Sequence, residues 1–263
     1  YNFFNPKAGI TYEFNNKNNV YFSYARANRE PSRGDFESNP NIKPEQLNDF
    51  ELGWRYSAKS FRLNTNVYYM LYNEQLVLTG AIDNTGTPIR TNSGESYRIG
   101  IEVDGAIQVS KQFTIQPNFT VSSNKNSETI ISKDGALVNL GKTNISFSPD
   151  LVAANAFIYQ PTTNFQLSFL SKYVGRQFMG NSDSAISKLD SYFVNDLNVS
   201  YQWNPKSVFS SVVVSALINN LFNEEYVSNG FYYTYDDDWS VPGQISTIEG
   251  AGYYPQATRN FLV

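Results

Sequence analysis

The chain has 263 residues, no cysteine, no histidine and a formal net charge of −4. Those zeros exclude a disulfide framework, a thiol nucleophile, thiolate or imidazole metal ligation and histidine general-base chemistry. The acidic balance leaves no basic footprint for nucleic acid.

Apolar and polar residues alternate along most of the chain, the period of a strand whose two faces meet different surroundings. In chain order the alternation predicts strands at Lys7–Phe14, Asn19–Ala27, Leu47–Ser57, Ser60–Leu78, Ser96–Val109 and Gln112–Ser122. Lys142–Gln160 follows, interrupted at Pro149, where a missing N–H predicts a bulge or bend. Asn164–Phe178, Leu189–Trp203, Val208–Ile218 and Tyr253–Val263 complete the set. Within Ser60–Leu78, Ser60–Tyr72 shows the pattern best. Phe61, Leu63, Thr65, Val67, Tyr69 and Leu71 point one way, and Arg62, Asn64, Asn66, Tyr68, Met70 and Tyr72 point the other.

The gaps alternate as well. Short ones fall near Asn15–Asn18, Ala58–Lys59, Ser110–Lys111, Pro161–Asn164 and Asn204–Ser207. Long ones fall near Asn28–Glu45, Thr79–Glu95, Ser123–Gly141, Met179–Ser187 and Asn220–Gly252. A meander with tight turns at one end and long loops at the other is the pattern of an outer-membrane barrel. Aromatics, 16% of the chain, suit the girdles of such a barrel. No run approaches the ~18 apolar residues of a spanning helix, which a barrel does not need. Arg62, Asn64, Asn66, Arg98, Glu102, Asp104, Gln116, Asn118, Asn198 and Ser200 are too polar for a dry core. A wet or plugged lumen satisfies them, as does the exposed face of a one-sided sheet. Against the second, no helix is predicted to cover the apolar face. The expected fold is all-β: an antiparallel up-and-down meander of about eleven strands, half of a transmembrane β-barrel.

Several segments carry a resemblance. Asn219–Gly230 (Asn-Asn-Leu-Phe-Asn-Glu-Glu-Tyr-Val-Ser-Asn-Gly) matches an NLF-N-x-x-Y motif. With it come Asn5–Tyr12, Tyr21–Arg33, Phe50–Tyr56, Ser96–Glu102 and Tyr254–Leu262. In that order they resemble the C-terminal half of a TonB-dependent outer-membrane receptor of the Bacteroidetes-like, siderophore-receptor type. The resemblance implies that residues 1–263 are the C-terminal portion of a plugged barrel of about 22 strands. The plug domain, TonB box and first half of the barrel would lie outside the chain, with the last strand incomplete at Val263. Taken alone, such a piece would expose two sheet edges and form no closed channel.

The resemblance further implies TonB-coupled uptake of a scarce ligand, most readily a ferric siderophore, across the outer membrane of a Gram-negative bacterium. The partners would be outer-membrane lipid and the TonB–ExbB–ExbD complex, acting through the plug. The lack of histidine argues against haem, while cobalamin, saccharides and other chelates stay open. A passive porin-like or structural barrel, and a soluble β-sheet binding module, are the competing classes.

The last long gap holds Tyr232, Tyr233, Tyr235 and Trp239, read either as a ligand-facing aromatic lip or as girdle and loop packing. Asp236–Asp238 could attract Ca²⁺, but the EF-hand spacing fails at Val241 and Thr247, which favours a solvated acidic loop. Arg29, Arg33 and Arg90 lie in or beside long gaps and suit an anionic chelate. Glu30, Asp35 and Glu37 offer structural pairing for the first two instead. Arg26, Arg62, Arg98 and Glu102 are expected to face the lumen, where they could hold a plug or form wall salt bridges. Glu51 with Glu102 or Asp104 can be imagined as an acid/base pair, but of a kind any polar sheet face supplies, so no enzyme is expected. No cofactor or bound metal is expected either. Asn118, Asn144 and Asn198 head glycosylation-like triplets within strands and carry no weight.

Overall fold

A computed structural model describes residues 1–82, 88–205 and 208–263. The first wall strands are β1 (Lys7–Asn15), β2 (Asn18–Arg29), β3 (Glu45–Ser57) and β4 (Phe61–Asn73). A six-residue helix, α1 (Arg33–Ser38), lies between β2 and β3. It starts in a capping box, with Ser32 and Asp35 each accepting from the other's backbone and so satisfying two otherwise orphaned donors. The sequence reading allowed no helix; this one is short and sits in a loop, so it leaves the apolar face uncovered.

After β4 the chain leaves the wall through a hairpin, β5 (Leu76–Ile82) and β6 (Pro88–Asn92). It returns as β7 (Glu95–Gln108) and β8 (Phe113–Lys133), and β9 (Ala136–Asn144) pairs only with β8. β10 (Leu151–Thr162) and β11 (Phe165–Val174) follow. Two short pieces, β12 (Gln177–Phe178) and β13 (Lys188–Leu189), lead to β14 (Tyr192–Trp203) and β15 (Val212–Asn219). A last hairpin, β16 (Val227–Asp237) with β17 (Ser246–Pro255), precedes β18 (Asn260–Leu262). Among the described residues the wall runs β1-β2-β3-β4-β7-β8-β10-β11-β14-β15-β18, eleven strands with β1 and β18 as open edges. It is the expected antiparallel meander. The expected turn Asn204–Ser207 and long gap Thr79–Glu95 lie partly outside the described residues.

Register fixes the faces, because directly paired residues of a sheet point the same way. Ile10, Phe22, Leu52, Val67, Ile101, Val121 and Leu151 form one continuous row across seven strands. All seven are exposed. A soluble sheet would not leave such a row in water; hydrocarbon accepts it. The adjacent polar row is Tyr21, Gly53, Asn66, Glu102 and Thr120. A third row starts beside a short turn at Tyr12 and ends beside the long-loop end of β14 at Phe193. That drift is the stagger of strands inclined to a barrel axis.

Four predicted strands are redrawn. Ser60–Leu78 breaks at Glu74, whose φ is +56°, so Leu76–Leu78 belongs to the mouth hairpin. Gln112–Ser122 continues to Lys133, because Asp134 and Gly135 (φ +53° and +75°) close a two-residue hairpin of the primed type. Lys142–Gln160 is two strands, and the interruption at Pro149 separates them rather than bulging one. Tyr253–Val263 divides between β17 and β18. The few buried apolar side chains include Ile42, Leu76, Ile145, Met179 and Leu189, all at the long-loop end. The ordered packing of this molecule lies among its loops.

Candidate functional site

Loops meet at that end through specific polar contacts. The Asn181 amide donates to the Leu78 carbonyl (3.2 Å) and accepts from Ser146 N (2.9 Å), tying β5 to the segment before β10. Asp134 and Thr247 exchange bonds of 2.8 Å each, joining the β8–β9 turn to β17. These contacts enclose a cavity of about 810 Å³ between β5–β6, the extended part of β8 and the β16–β17 hairpin. Its size falls in the range of small-molecule sites. Val77, Leu78, Ile89 and Ile130 supply apolar wall, while Glu74, Glu95, Glu128 and Glu249 supply carboxylates.

The four nominated aromatics divide between two faces. Tyr232 lines the cavity with Glu249 and Ser182. Burial pushes its phenol above the ordinary value, and the Glu249 charge acts in the same direction. Tyr233, Tyr235 and Trp239 lie on the opposite side of the hairpin in a stack with Phe231. Successive ring centroids there are 6.1, 6.5 and 6.0 Å apart. Gly250 and Gly252 on β17 leave room for Tyr233 and Phe231 to lie across them. Asp237 accepts from Trp239 N and Ser240 N, and Asp236 accepts from the Thr247 hydroxyl.

Arg29, Arg33 and Arg90 are each paired with a carboxylate. Arg29 meets Glu45 at 3.0 Å, and the same carboxylate oxygen accepts from Leu76 N at 2.8 Å, anchoring the start of β5. Arg33 holds Glu37 at 2.7 Å along α1. Arg90 reaches Asp35 at 3.3 Å, fastening α1 to β6. None of the three lines the cavity.

Of the residues expected to face the lumen, Arg62, Arg98 and Glu102 are on the polar face. Arg98 donates to the Ser148 hydroxyl at 2.6 Å. Arg26 is not among them. It pairs with Asn48 and, through it, with Leu71, which puts it on the apolar face at its loop end, beside Phe3, Phe4 and Gln46. There the aliphatic stem can cover apolar surface while the head stays polar. The sequence reading missed the β8 segment Asn126–Lys133 that forms one side of the cavity. Its signal was available: an Asp-Gly pair flanked by Ile130, Ile131, Leu137 and Val138.

Comparison with known proteins agrees with this architecture. A family model described as TonB dependent receptor-like, beta-barrel matches residues 1–221. The catecholate siderophore receptor Fiu of Escherichia coli K12 is 22% identical over 277 residues, covering all of this chain and 32% of the relative. The chain therefore spans about a third of the length of the curated relatives it matches. The siderophore receptor PiuA of Acinetobacter baumannii superposes with a TM-score of 0.67 at 17% identity, over 97% of this chain and 35% of that one. The copper transporter OprC does so with a TM-score of 0.70 at 18% identity, over 97% and 38%.

Proposed function

The chain belongs to the TonB-dependent receptor-like β-barrel family, and from that membership we propose that it forms wall and mouth of an outer-membrane receptor importing a ferric siderophore. One relationship supports the reading. The same strands that present a continuous apolar row outward, from Ile10 to Leu151, extend at their long-loop end into hairpins around a small-molecule cavity. A passive pore needs the first feature and not the second. Import would be driven by the TonB–ExbB–ExbD complex through a plug contributed by sequence outside this chain. Arg62, Arg98 and Glu102 on the polar face would oppose that plug.

A strain lacking the full-length gene tests the proposal under iron starvation. Uptake of iron-55 carried by siderophores is expected to fall and to return with the intact gene. Unchanged uptake would sink it.

A further inference from the structure

Resting on the reading of the chain as a ferric-chelate receptor, we propose that the mouth cavity selects an uncharged or cationic chelate, of the tris-hydroxamate kind, over an anionic tris-catecholate. The distinction is one of charge. Three singly deprotonated hydroxamates cancel the charge of Fe³⁺, whereas three doubly deprotonated catecholates leave a trianion.

The cavity is built for the former. Among the described residues, four carboxylates line it, those of Glu74, Glu95, Glu128 and Glu249, against a single amine, Lys133. Lys43, outside the lining, neutralises Glu74 at 2.7 Å. Glu95, Glu128 and Glu249 remain. Their neighbours do not remove the surplus: Glu128 accepts from the neutral Asn139 amide, and Glu249 from the neutral Ser184 hydroxyl. The three nominated arginines, Arg29, Arg33 and Arg90, are elsewhere, each within 3.3 Å of its own carboxylate. Apolar side chains such as Leu78 and Ile89 share the lining, while Glu95 and Glu128 are exposed, so their repulsion acts on an approaching anion through solvent and weakens with added salt. A trianion entering would meet like charge with no guanidinium among the described lining residues to offset it. An uncharged chelate would meet apolar wall, the Tyr232 ring and carboxylates able to accept hydrogen bonds.

The test uses the full-length receptor, purified for binding and also produced as the sole importer of a host strain. The probes are ferric desferrioxamine B, a cationic tris-hydroxamate complex, and ferric enterobactin, a tris-catecholate. The first is expected to bind at least tenfold more tightly, and only the first to be imported. The double variant Glu95→Gln, Glu128→Gln should narrow the preference about tenfold, mainly by improving enterobactin binding. Lys133→Gln, a change at an exposed position, should widen it and serves if the double variant fails to insert. Equal or tighter binding of ferric enterobactin overturns the charge selection and leaves the receptor reading standing. A hydroxamate preference unmoved by either variant overturns the assignment to these residues. If neither complex is bound or imported, the selection falls, while the ferric-chelate reading stands or falls with the iron-55 uptake test.

Discussion

The ring of Tyr21 on β2 lies across Gly53 on β3, so that a Cβ on Gly53 would stand 2.0 Å from Tyr21 Cε1. The Tyr21 hydroxyl reaches one strand further and donates to Asn66 at 3.1 Å. The Arg55 guanidinium sits 4.4 Å from the ring centroid. Glycine in a strand interior is weak in itself and marks a place where another group must approach closely. Gly53→Ala is expected to expel the ring, break the Asn66 bond and destabilise the full-length receptor by about 1–3 kcal/mol. Urea unfolding in detergent measures the loss. A neutral result would show that the ring can rest elsewhere.

The two faces of β4 predict opposite tolerance for charge. Val67→Arg, in the middle of the exposed apolar row, should cost about 2–4 kcal/mol if that row faces hydrocarbon. Asn64→Arg on the other face should cost less than about 1 kcal/mol, since Asn64 already lies 2.9 Å from Asp104 and an arginine there gains a carboxylate. Folding yields into lipid vesicles compare the two variants directly, and equal penalties would remove the face assignment.

Asp35 gives a pH dependence. Burial alone would raise its carboxyl, but hydrogen bonds from Ser32 and the Arg90 guanidinium outweigh burial and hold it below its ordinary 3.8. A carboxyl depressed in the folded state contributes stability that is complete above its unfolded value and is lost as pH falls through the folded one. Attachment of α1 to β6 should therefore be full at neutral pH and should loosen below pH 3.8. Asp35→Asn should loosen it at pH 7. Amide hydrogen exchange across residues 32–38 reads both effects.

Asn220, in the motif that carried the family resemblance, has φ +51°. Its backbone N–H donates to Asp196 (2.8 Å), and its side chain bonds both N–H and carbonyl of Glu224 (2.8 Å each). Asn220→Ala forfeits the side-chain bonds and keeps an unfavourable backbone region, with an expected loss of about 2–4 kcal/mol. Asn220→Gly relieves the backbone and should lose less. Thermal denaturation of both separates the two terms, and equal losses would mean the positive φ costs nothing.

Much of the wall was legible before any coordinates. Period two in Ser60–Tyr72 assigned both faces of β4, and the alternation of short and long gaps separated the tight-turn end of the wall from the long-loop end. Arg26 shows a legible signal overridden. Counting by twos from Phe22 and Tyr24 puts it on the apolar face, against the expectation that it faces the lumen. Asp134-Gly135 is another turn readable in the sequence, inside the long gap Ser123–Gly141. The long gaps were harder, because a hairpin such as β16–β17 gains its place from β5 and β8, residues remote in sequence.

Alternation is a local property, so the sequence by itself determined the strand class, the apolar face and the order of the meander. Which charges remain available is not local. Arg90 finds Asp35, and Lys43 finds Glu74, only once loops far apart in the chain are folded against each other. Only the tertiary structure could therefore decide that the nominated arginines are committed and that the cavity keeps a surplus of carboxylates. The physical reason is that pairing of charge depends on distance in space, which a one-dimensional pattern does not contain.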